Sequence, residues 1–302
     1  MDTLENLRNK SESAKELKSV ERSMKAMAAS NIGQYDMAVG SLGDYFHTVA
    51  LGFIAYLREQ KIDAIYERKE SKKNNEQSIC AIVFGSDQGL VGQFNDLMAG
   101  FVAQSLKVLQ GKKEIWVVGE RAQLLLSDAG LAATTLYQVP NGVGGITPLI
   151  QKILLKIEQG YEKNNLEAFY IFHNQPKGGS GYQPVIQRLL PFDEKWRHDF
   201  TALHWPTKNL PQIAGGIKPT LLALIREYLF VSLFKACAES LASENTSRLI
   251  AMQRAEKNID GLLDGLDKKY KRMRQSSIDE ELFDVVSGFE ALKAAPKNKL
   301  KI

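Results

Sequence analysis

One short loop of this 302-residue chain has the composition of a phosphate site. Residues Gly85–Asn95, GSDQGLVGQFN, follow a strand candidate and precede a helix candidate, where glycine-rich loops can bind phosphate. The glycine spacing does not match GxGxxG, and no Lys-Ser or Lys-Thr pair closes the loop. Asp87 could act as a general base, but it has no accompanying nucleophile, so a loop-capping role is favoured. We predict a tight strand-to-helix turn and keep the phosphate site as the alternative.

Histidines and cysteines do not have the spacing of a metal or redox site. The histidines are His47, His173, His198 and His204. None has a neighbour at the HxxxH spacing of zinc ligands. Cys80 lies in the apolar run ICAIVF and is predicted to be a buried thiol, far in sequence from Cys237. We therefore predict no catalytic residue, no metal and no cofactor, and a reducing, cytosolic compartment.

A cluster of cations lies near the C-terminus, where five of the seven residues from Lys268 to Arg274 are basic. Three interpretations stay open: a solvated helix face, a surface for an acidic protein, and a nucleic-acid contact. The net charge of +4 is too small to indicate nucleic acid by itself.

Long helical patterns begin and end the chain. Apolar residues recur at steps of three and four from Leu4 to Leu57, and again from about Pro211 to Leu292. Glycines at four positions either admit a partner helix or break the first helix near Gly40–Gly43, and we favour a continuous helix. Because each helix has only a narrow apolar stripe, we predict that the two form an antiparallel coiled coil.

Strand and helix candidates alternate between the terminal helices. The strands are Ile79–Phe84, Glu114–Val118, Thr134–Tyr137, Ala168–His173, Val185–Phe192 and Thr201–Trp205, and the helices are Asn95–Leu109, Arg121–Asp128 and Thr147–Tyr161. This order predicts a Rossmann-like, mostly parallel α/β domain. The glycine-rich segments Asn141–Gly145 and Gly178–Gly181 are interpreted as flexible loops.

The predicted domain boundaries follow from these patterns. Residues 1–70 form the N-terminal coiled-coil helix, 71–210 the α/β domain, 211–292 the C-terminal coiled-coil helix, and 293–302 a basic tail. No signal or transit peptide is expected, since the first residues are charged throughout. Charges at Arg226, Glu227 and Lys235 interrupt the most apolar helical stretch, so no ordinary membrane span is expected.

Three segments of the chain resemble the gamma subunit of F-type ATP synthases, the central rotor shaft. They are LENLRNK with RSMKAMAAS (Arg22–Ser30), SDQGLVGQFN in the middle, and SLASENTSRLIAM (Ser240–Met252) followed by RQSSIDEELFDVVSG (Arg274–Gly288). The match covers both ends and the first half of the middle, and the C-terminal pair of motifs is its most specific part.

The resemblance implies a subunit without bond chemistry of its own. In this family the coiled coil passes through a ring of alpha and beta subunits, and its foot and the α/β domain rest on the c-ring and the epsilon subunit. Ion flow, typically of hydrogen ions, turns the shaft, which forces the catalytic beta subunits through their states during ATP synthesis or hydrolysis. The expected location is peripheral, on the cytoplasmic face of a bacterial plasma membrane.

The resemblance also implies a set of contacts with the beta subunit. These residues are Arg22, Met24, Lys25, Arg248, Arg274, Gln275 and Glu281. Met24 has the alternative of being coiled-coil core, and Glu281 that of being an exposed helix charge. We favour Arg274 with Gln275, because a guanidinium can hold a carboxylate or a carbonyl through two donors.

Departures from the family pattern suggest a divergent bacterial branch. Asn31–Tyr35 replace a basic run, Val91 stands where cysteine is common, and Asp279 where threonine is common. A different coupling ion is a hypothesis that rests on this divergence. Two other functions stay open: a phosphate-binding α/β enzyme with helical arms, and a coiled-coil adaptor or nucleic-acid binder.

Overall fold

The computed structural model describes residues 3–59, 78–163, 166–178, 181–192, 196, 205, 207–209 and 216–294. Its elements in chain order are α1 (Leu4–Glu59), β1 (Ser78–Phe84), α2 (Phe94–Val108), β2 (Lys112–Val118), α3 (Glu120–Asp128), β3 (Thr135–Tyr137), α4 (Val143–Lys163), β4 (Leu166–Lys177), β5 (Gly181–Leu190) and α5 (Ile217–Ala294). The strand candidate Thr201–Trp205 and the end of the basic tail lie almost wholly outside these ranges.

Each terminal segment is one long helix, of 56 residues in α1 and 78 in α5. The prediction of a continuous first helix is confirmed, because Gly40 and Gly43 lie within α1 without breaking it. Of the four glycines in α1, only Gly52 lies where a partner helix approaches too closely for a side chain. An added Cβ there would lie 2.7 Å from Cδ2 of Leu224 on α5. The predicted start of the second helix at Pro211 lies outside the described residues.

The sheet has the order β3-β2-β1-β4-β5. The first four strands are parallel, and β5 returns antiparallel to β4. The continuous apolar run of β1 fits its central place, since a strand covered on both faces needs no polar alternation. Cys80 is buried in this strand, as predicted, and burial raises the pKa of its thiol.

Both faces of the sheet are covered by helices. On one face, Cys80, Ile82 and Phe84 of β1 pack in a core with α4 and with parts of α1 and α5. On the other face, Ala81 and Val83 pack with α2 and α3. The alternation of β1 side chains between the two cores therefore fixes the sheet between two helical layers.

One loop prediction was wrong. Residues Asn141–Gly145 were interpreted as a flexible loop, but α4 begins at Val143 and contains Gly144 and Gly145. The apolar face of α4, with Ile146, Ile150 and Ile153 fully buried, holds these glycines in a helix. The second glycine-rich segment, Gly178–Gly181, falls partly outside the described residues.

The chain divides into two compact units, Ala26–Ala251 and Met1–Lys25 with Met252–Ile302. Within the larger unit, Asn31 of α1 bonds Asn245 of α5 at 3.5 Å, and Tyr45 bonds Glu227 at 2.5 Å. Positions therefore rise along α1 as they fall along α5.

The smaller unit contains the same antiparallel pairing. Lys18 of α1 bonds Asp260 of α5, and Lys25 bonds Glu256 at 2.5 Å. The predicted fold class is confirmed: N- and C-terminal helices form an antiparallel pair, and a mostly parallel α/β domain lies between them in sequence.

Gly119, which lies between β2 and α3, allows a test of the backbone geometry at the carboxyl end of β2. Its φ is +114°, and an added Cβ would lie 2.7 Å from the backbone of Ser86. We expect Gly119→Ala to lower the free energy of unfolding by about 2–3 kcal/mol, because both the dihedral angle and the contact oppose a side chain. Gly100, in open space on α2, is the control, and its change to Ala is expected to stabilise by about 0.5–1 kcal/mol. Equal effects of the two changes in chemical denaturation would contradict this account.

Candidate functional site

The loop Gly85–Asn95 is closed by its own hydrogen bonds. Oδ1 of Asn95 accepts the Ser86 amide at 3.0 Å, and Nδ2 of Asn95 donates to Oγ of Ser86 at 2.8 Å. The Ser86 carbonyl in turn accepts the backbone amide of Arg121 at 3.0 Å. The loop is therefore the tight strand-to-helix turn that the sequence predicts.

Asp87 has the capping role that was favoured over a general base. One carboxylate oxygen accepts the amide of Glu120, the first residue of α3, at 3.0 Å, and the other accepts the amide of Val139 at 3.0 Å. The carboxylate thus caps the N-terminus of α3, where its negative charge is favourable. It also ties the ends of β1, β2 and β3 together.

Two of the predicted contact residues on α1 pair with α5. Lys25 lies 2.5 Å from one oxygen of Glu256, and Arg22 lies 3.8 Å from the other. The hydrogen bond from Lys25 lowers the pKa of Glu256, and the same bond raises the pKa of Lys25. The sequence did not predict the role of Glu256 as the partner of Lys25 and Arg22. The alignment of two paired helices that lie far apart in sequence cannot be read from the pattern of either helix alone.

Met24 and Arg248 are both only partly accessible. The Met24 side chain is half-buried on α1. Arg248 bonds Glu244 at 2.7 Å one turn earlier on α5, and its side chain is 14% exposed. Burial raises the pKa of Glu244, although the charge of Arg248 opposes that rise.

Arg274, Gln275 and Glu281 are exposed on the C-terminal part of α5. Lys18 of α1 bonds Asp260 of α5, and α1 begins 14 residues before Lys18, at Leu4. Because the two helices are antiparallel and rise equally per residue, the first residue of α1 lies opposite about residue 274 of α5. Arg274 and Gln275 therefore lie where the described helix pair ends, and Glu281 lies beyond it.

Residues Asn31–Tyr35, which replace the basic run of the family pattern, lie partly against α5. Tyr35 is 3% exposed, and burial, with the charge of Glu244, raises the pKa of its hydroxyl. Asn31 bonds Asn245 within the same helix pair. Polar and aromatic residues at these positions thus contribute to helix pairing.

A set of polar α5 residues binds the sheet, and sequence reasoning missed its role. Ser243 donates to the carbonyl of Asn174 at 3.0 Å, and Ser247 donates to that of Val91 at 2.5 Å. Ser240 lies 3.5 Å from the carbonyl of Phe84, its acceptor. Glu239, Ser240, Ser243 and Ser247 with their partners form the α5–sheet contact. The available signal was the spacing of Glu239, Ser243 and Ser247, which recur at steps of four and therefore share one face of the helix.

Glu239 adds a buried carboxylate–imidazole hydrogen bond to the α5–sheet contact. Its carboxylate lies 2.8 Å from Nε2 of His173, and Gln175 donates to it at 3.4 Å. Burial alone would raise the pKa of Glu239, but the bond and charge of His173, together with Lys235 and Gln175, outweigh that effect and lower it. His173 is thus a buried partner of a carboxylate on α5.

The described residues offer little for ligand chemistry elsewhere. No three or more His, Cys, Asp or Glu side chains converge there as a metal site would require. A cavity of about 280 Å³ is lined by Ser78, Lys112, Glu114 and Leu166, at the amino ends of β1, β2 and β4. It lies at the opposite ends of these strands from the glycine-rich loop. His47 is exposed on α1, and His198 and His204 lie outside the described ranges.

Comparison with protein families gives a match over nearly the whole chain. The sequence model of the family described as ATP synthase matches residues 3–292. The chain belongs to the ATP synthase family. A similar relative within it is the ATP synthase gamma chain of Mycoplasma mobile, 28% identical over 297 residues, covering 96% of this chain and 99% of the relative. The gamma chain of Histophilus somni strain 2336 is 24% identical over 296 residues, covering 95% and 98%.

Solved structures show the same fold. A chain of the Euglena gracilis mitochondrial ATP synthase, in an OSCP/F1/c-ring structure, has a TM-score of 0.61 at 14% identity, covering 99% of this chain and 98% of that one. A chain of the central stalk and c-ring structure from Tetrahymena thermophila has a TM-score of 0.56 at 18% identity, covering 78% and 99%.

These comparisons confirm the predicted ATP synthase gamma-type chain. It is a rotor subunit of the ATP synthase and is not itself catalytic. The interpretations as a separate phosphate-binding enzyme or as an adaptor are thereby displaced. Within the described ranges, no helix combines the length and the apolar character that a membrane span requires.

Proposed function

We propose that this ATP synthase subunit is the central-stalk shaft that couples rotation of an ion-driven c-ring to conformational changes in the catalytic beta subunits. Its partners are then the alpha and beta subunits of the catalytic hexamer, the epsilon subunit and the c-ring. It acts in ATP synthesis or hydrolysis as a peripheral protein on the cytoplasmic face of a bacterial plasma membrane. The chain divides functionally into the coiled-coil helices 1–70 and 211–292, the α/β domain 71–210 and the basic tail 293–302.

The exposed apolar end of α5 carries this proposal. Beyond about residue 274, where the described part of α1 ends, an apolar stripe continues along α5. Its members recur at steps of three and four: Ile278, Leu282, Val285 and Phe289, with exposures of 53%, 65%, 72% and 60%. An exposed apolar stripe of this kind indicates an enclosing partner surface. A ring of alpha and beta subunits would supply that surface.

Charged and polar residues near the same end would contact the beta subunit. Arg274, Gln275 and Glu281 are exposed on α5 and free to meet a partner's carboxylates or carbonyls. Arg22 and Lys25 share Glu256 and would reach a partner only by exchanging or sharing that ion pair. Met24 and the partly buried Arg248 complete the proposed set.

The coupling role of Arg274 and Gln275 is testable in the assembled complex. We expect the double change to Ala to lower ATP-driven ion transport per ATP hydrolysed, because the shaft loses two polar contacts with the beta subunit. The effect should correspond to about 1–3 kcal/mol of contact energy. Lys257→Ala with Asn258→Ala is the control, since these two residues are also exposed on α5. Wild-type coupling in the Arg274/Gln275 variant would remove the pair from the proposed contacts.

Assembly tests the proposal as a whole. A tagged copy of this chain, expressed in its native cell, should co-purify with the alpha, beta and epsilon subunits and with the c-ring from membranes extracted in mild detergent. Recovery of the chain without the catalytic subunits, under conditions in which those subunits remain assembled with each other, would overturn it.

A further inference from the structure

The α5–sheet contact is made by one face of a buried helical segment. Glu239, Ser243 and Ser247 follow each other at steps of four, so their side chains lie on one face of α5. All three are at least 94% buried, with exposures of 6%, 0% and 6%. Each uses its side chain to bond a group of the α/β domain, and none bonds only to its own helix.

The acceptors belong to several separate parts of the α/β domain. Asn174 lies on β4, Phe84 ends β1, and Val91 lies in the glycine-rich loop that follows β1. That loop is itself fixed to the sheet by Asp87 and Asn95. The helix is thus attached to a rigid base at more than one point along its axis.

Hydrogen bonds fix the rotational position of α5 about its axis more firmly than apolar packing alone does. Burial of apolar surface is non-directional, so a smooth apolar helix face resists rotation about the helix axis only through its shape. A hydrogen bond weakens steeply when its angle departs from linearity, so bonds from successive turns of α5 oppose rotation of the helix about its own axis. Ser243 and Ser247 are both buried and bond directly to carbonyls of β4 and of the loop, so they are placed to provide that resistance.

We propose that the α5–sheet contact is the torque-bearing attachment between the α/β domain and the C-terminal helix, with Ser243 and Ser247 as positioning residues. This inference rests on the proposed function as a rotor shaft and names the residues through which rotation passes from the domain into α5. Loss of these bonds loosens the attachment torsionally while the apolar core keeps the chain folded. Ala is the better helix former at both positions, which partly offsets the lost bonds.

The test measures torsional stiffness in the rotating complex. A probe is attached to a cysteine introduced at Val108, which is 81% exposed at the end of α2. The catalytic subunits are fixed to a surface, and the angular spread of the probe is recorded during the pauses of ATP-driven rotation. We expect the angular variance of the Ser243→Ala, Ser247→Ala double variant to rise by about twofold or more, since angular variance is inversely proportional to stiffness.

Ser232→Ala is the matched control. Ser232 lies on the same helix and is 4% exposed, but its hydroxyl has no hydrogen-bond partner among the described residues. Its variant should keep the wild-type variance. An unchanged variance in the double variant, at a temperature at which all three proteins are folded, would overturn the inference. If the wild-type complex assembles and hydrolyses ATP but its probe never rotates, the rotor function itself has failed.

Discussion

Replacing Phe53 with alanine is expected to lower the free energy of unfolding by about 3–5 kcal/mol, the largest effect of any single change proposed for this chain. Phe53 is fully buried on α1 and makes edge-on ring contacts with Tyr228 of α5 at 6.1 Å and with Trp196 at 5.2 Å. The truncation would leave a cavity at the place where both terminal helices meet the core of the α/β domain.

Phe283→Ala provides the control for this measurement. Phe283 is 74% exposed on α5, so its removal from the isolated chain should change the stability by less than about 0.5 kcal/mol. Both variants are compared with the wild type by chemical denaturation of the isolated chain. A loss below 1 kcal/mol for Phe53→Ala would mean that α1 does not pack on the domain as described.

Removal of His173 is expected to have the second-largest effect. His173→Leu leaves the carboxylate of Glu239, 6% exposed, with only Gln175 and the longer ion pair to Lys235 at 3.8 Å. Breaking a buried pair from one side is costly, and we expect a loss of about 3 kcal/mol or more at pH 7. The double variant with Glu239→Leu should lose less than the His173 variant alone, because no buried charge is then left without its partner.

The pH dependence of the His173 variant follows from the causes that act on Glu239. In the wild type the pKa of Glu239 is lowered, so its stabilising contribution is present above the unfolded value of 4.5 and is lost as the pH falls through the folded value. Without His173, burial dominates and the pKa of Glu239 rises above its ordinary value. The variant should therefore recover stability as the pH falls from 7 towards 5, through that raised folded value.

Lys235→Ala is the control for this pair. Lys235 is 53% exposed and its ion pair with Glu239 is long, so its loss should cost no more than about 1 kcal/mol. A His173→Leu variant that is as stable as Lys235→Ala, or one whose stability falls between pH 7 and 5, would contradict the role given to this pair.

The sequence predicted the sheet well because its strands are bounded by strong local signals. The apolar run Ile79–Phe84 was expected as a strand, and β1 extends it by one residue, to Ser78. Strand β5 was predicted less accurately. It was expected to begin at Val185, but the strand begins at Gly181, and its N-terminal part has alternating polar residues. Strong hydrophobic periodicity locates an element, whereas pairing with a neighbouring strand sets its ends.

The contacts that join distant segments could not be predicted from local patterns. The pairing of Glu239 with His173 joins residues on β4 and α5 that are separated in sequence by 66 positions. The pairing of Lys25 with Glu256 spans 231 positions and depends on the register of two helices. The proposed contact of the exposed Arg274 could not be identified from local patterns either, because its proposed partner, the beta subunit, is another chain.

Rotation of this chain inside a catalytic ring would test the proposed shaft function directly. Cys80 and Cys237 are buried and free, and burial raises the pKa of both thiols, so an introduced cysteine at Val108 can be labelled in preference to them. With the alpha and beta subunits fixed to a surface and ATP supplied, the account predicts continuous rotation of the probe in one direction. A complex that hydrolyses ATP at the wild-type rate while the labelled chain stays still would contradict it.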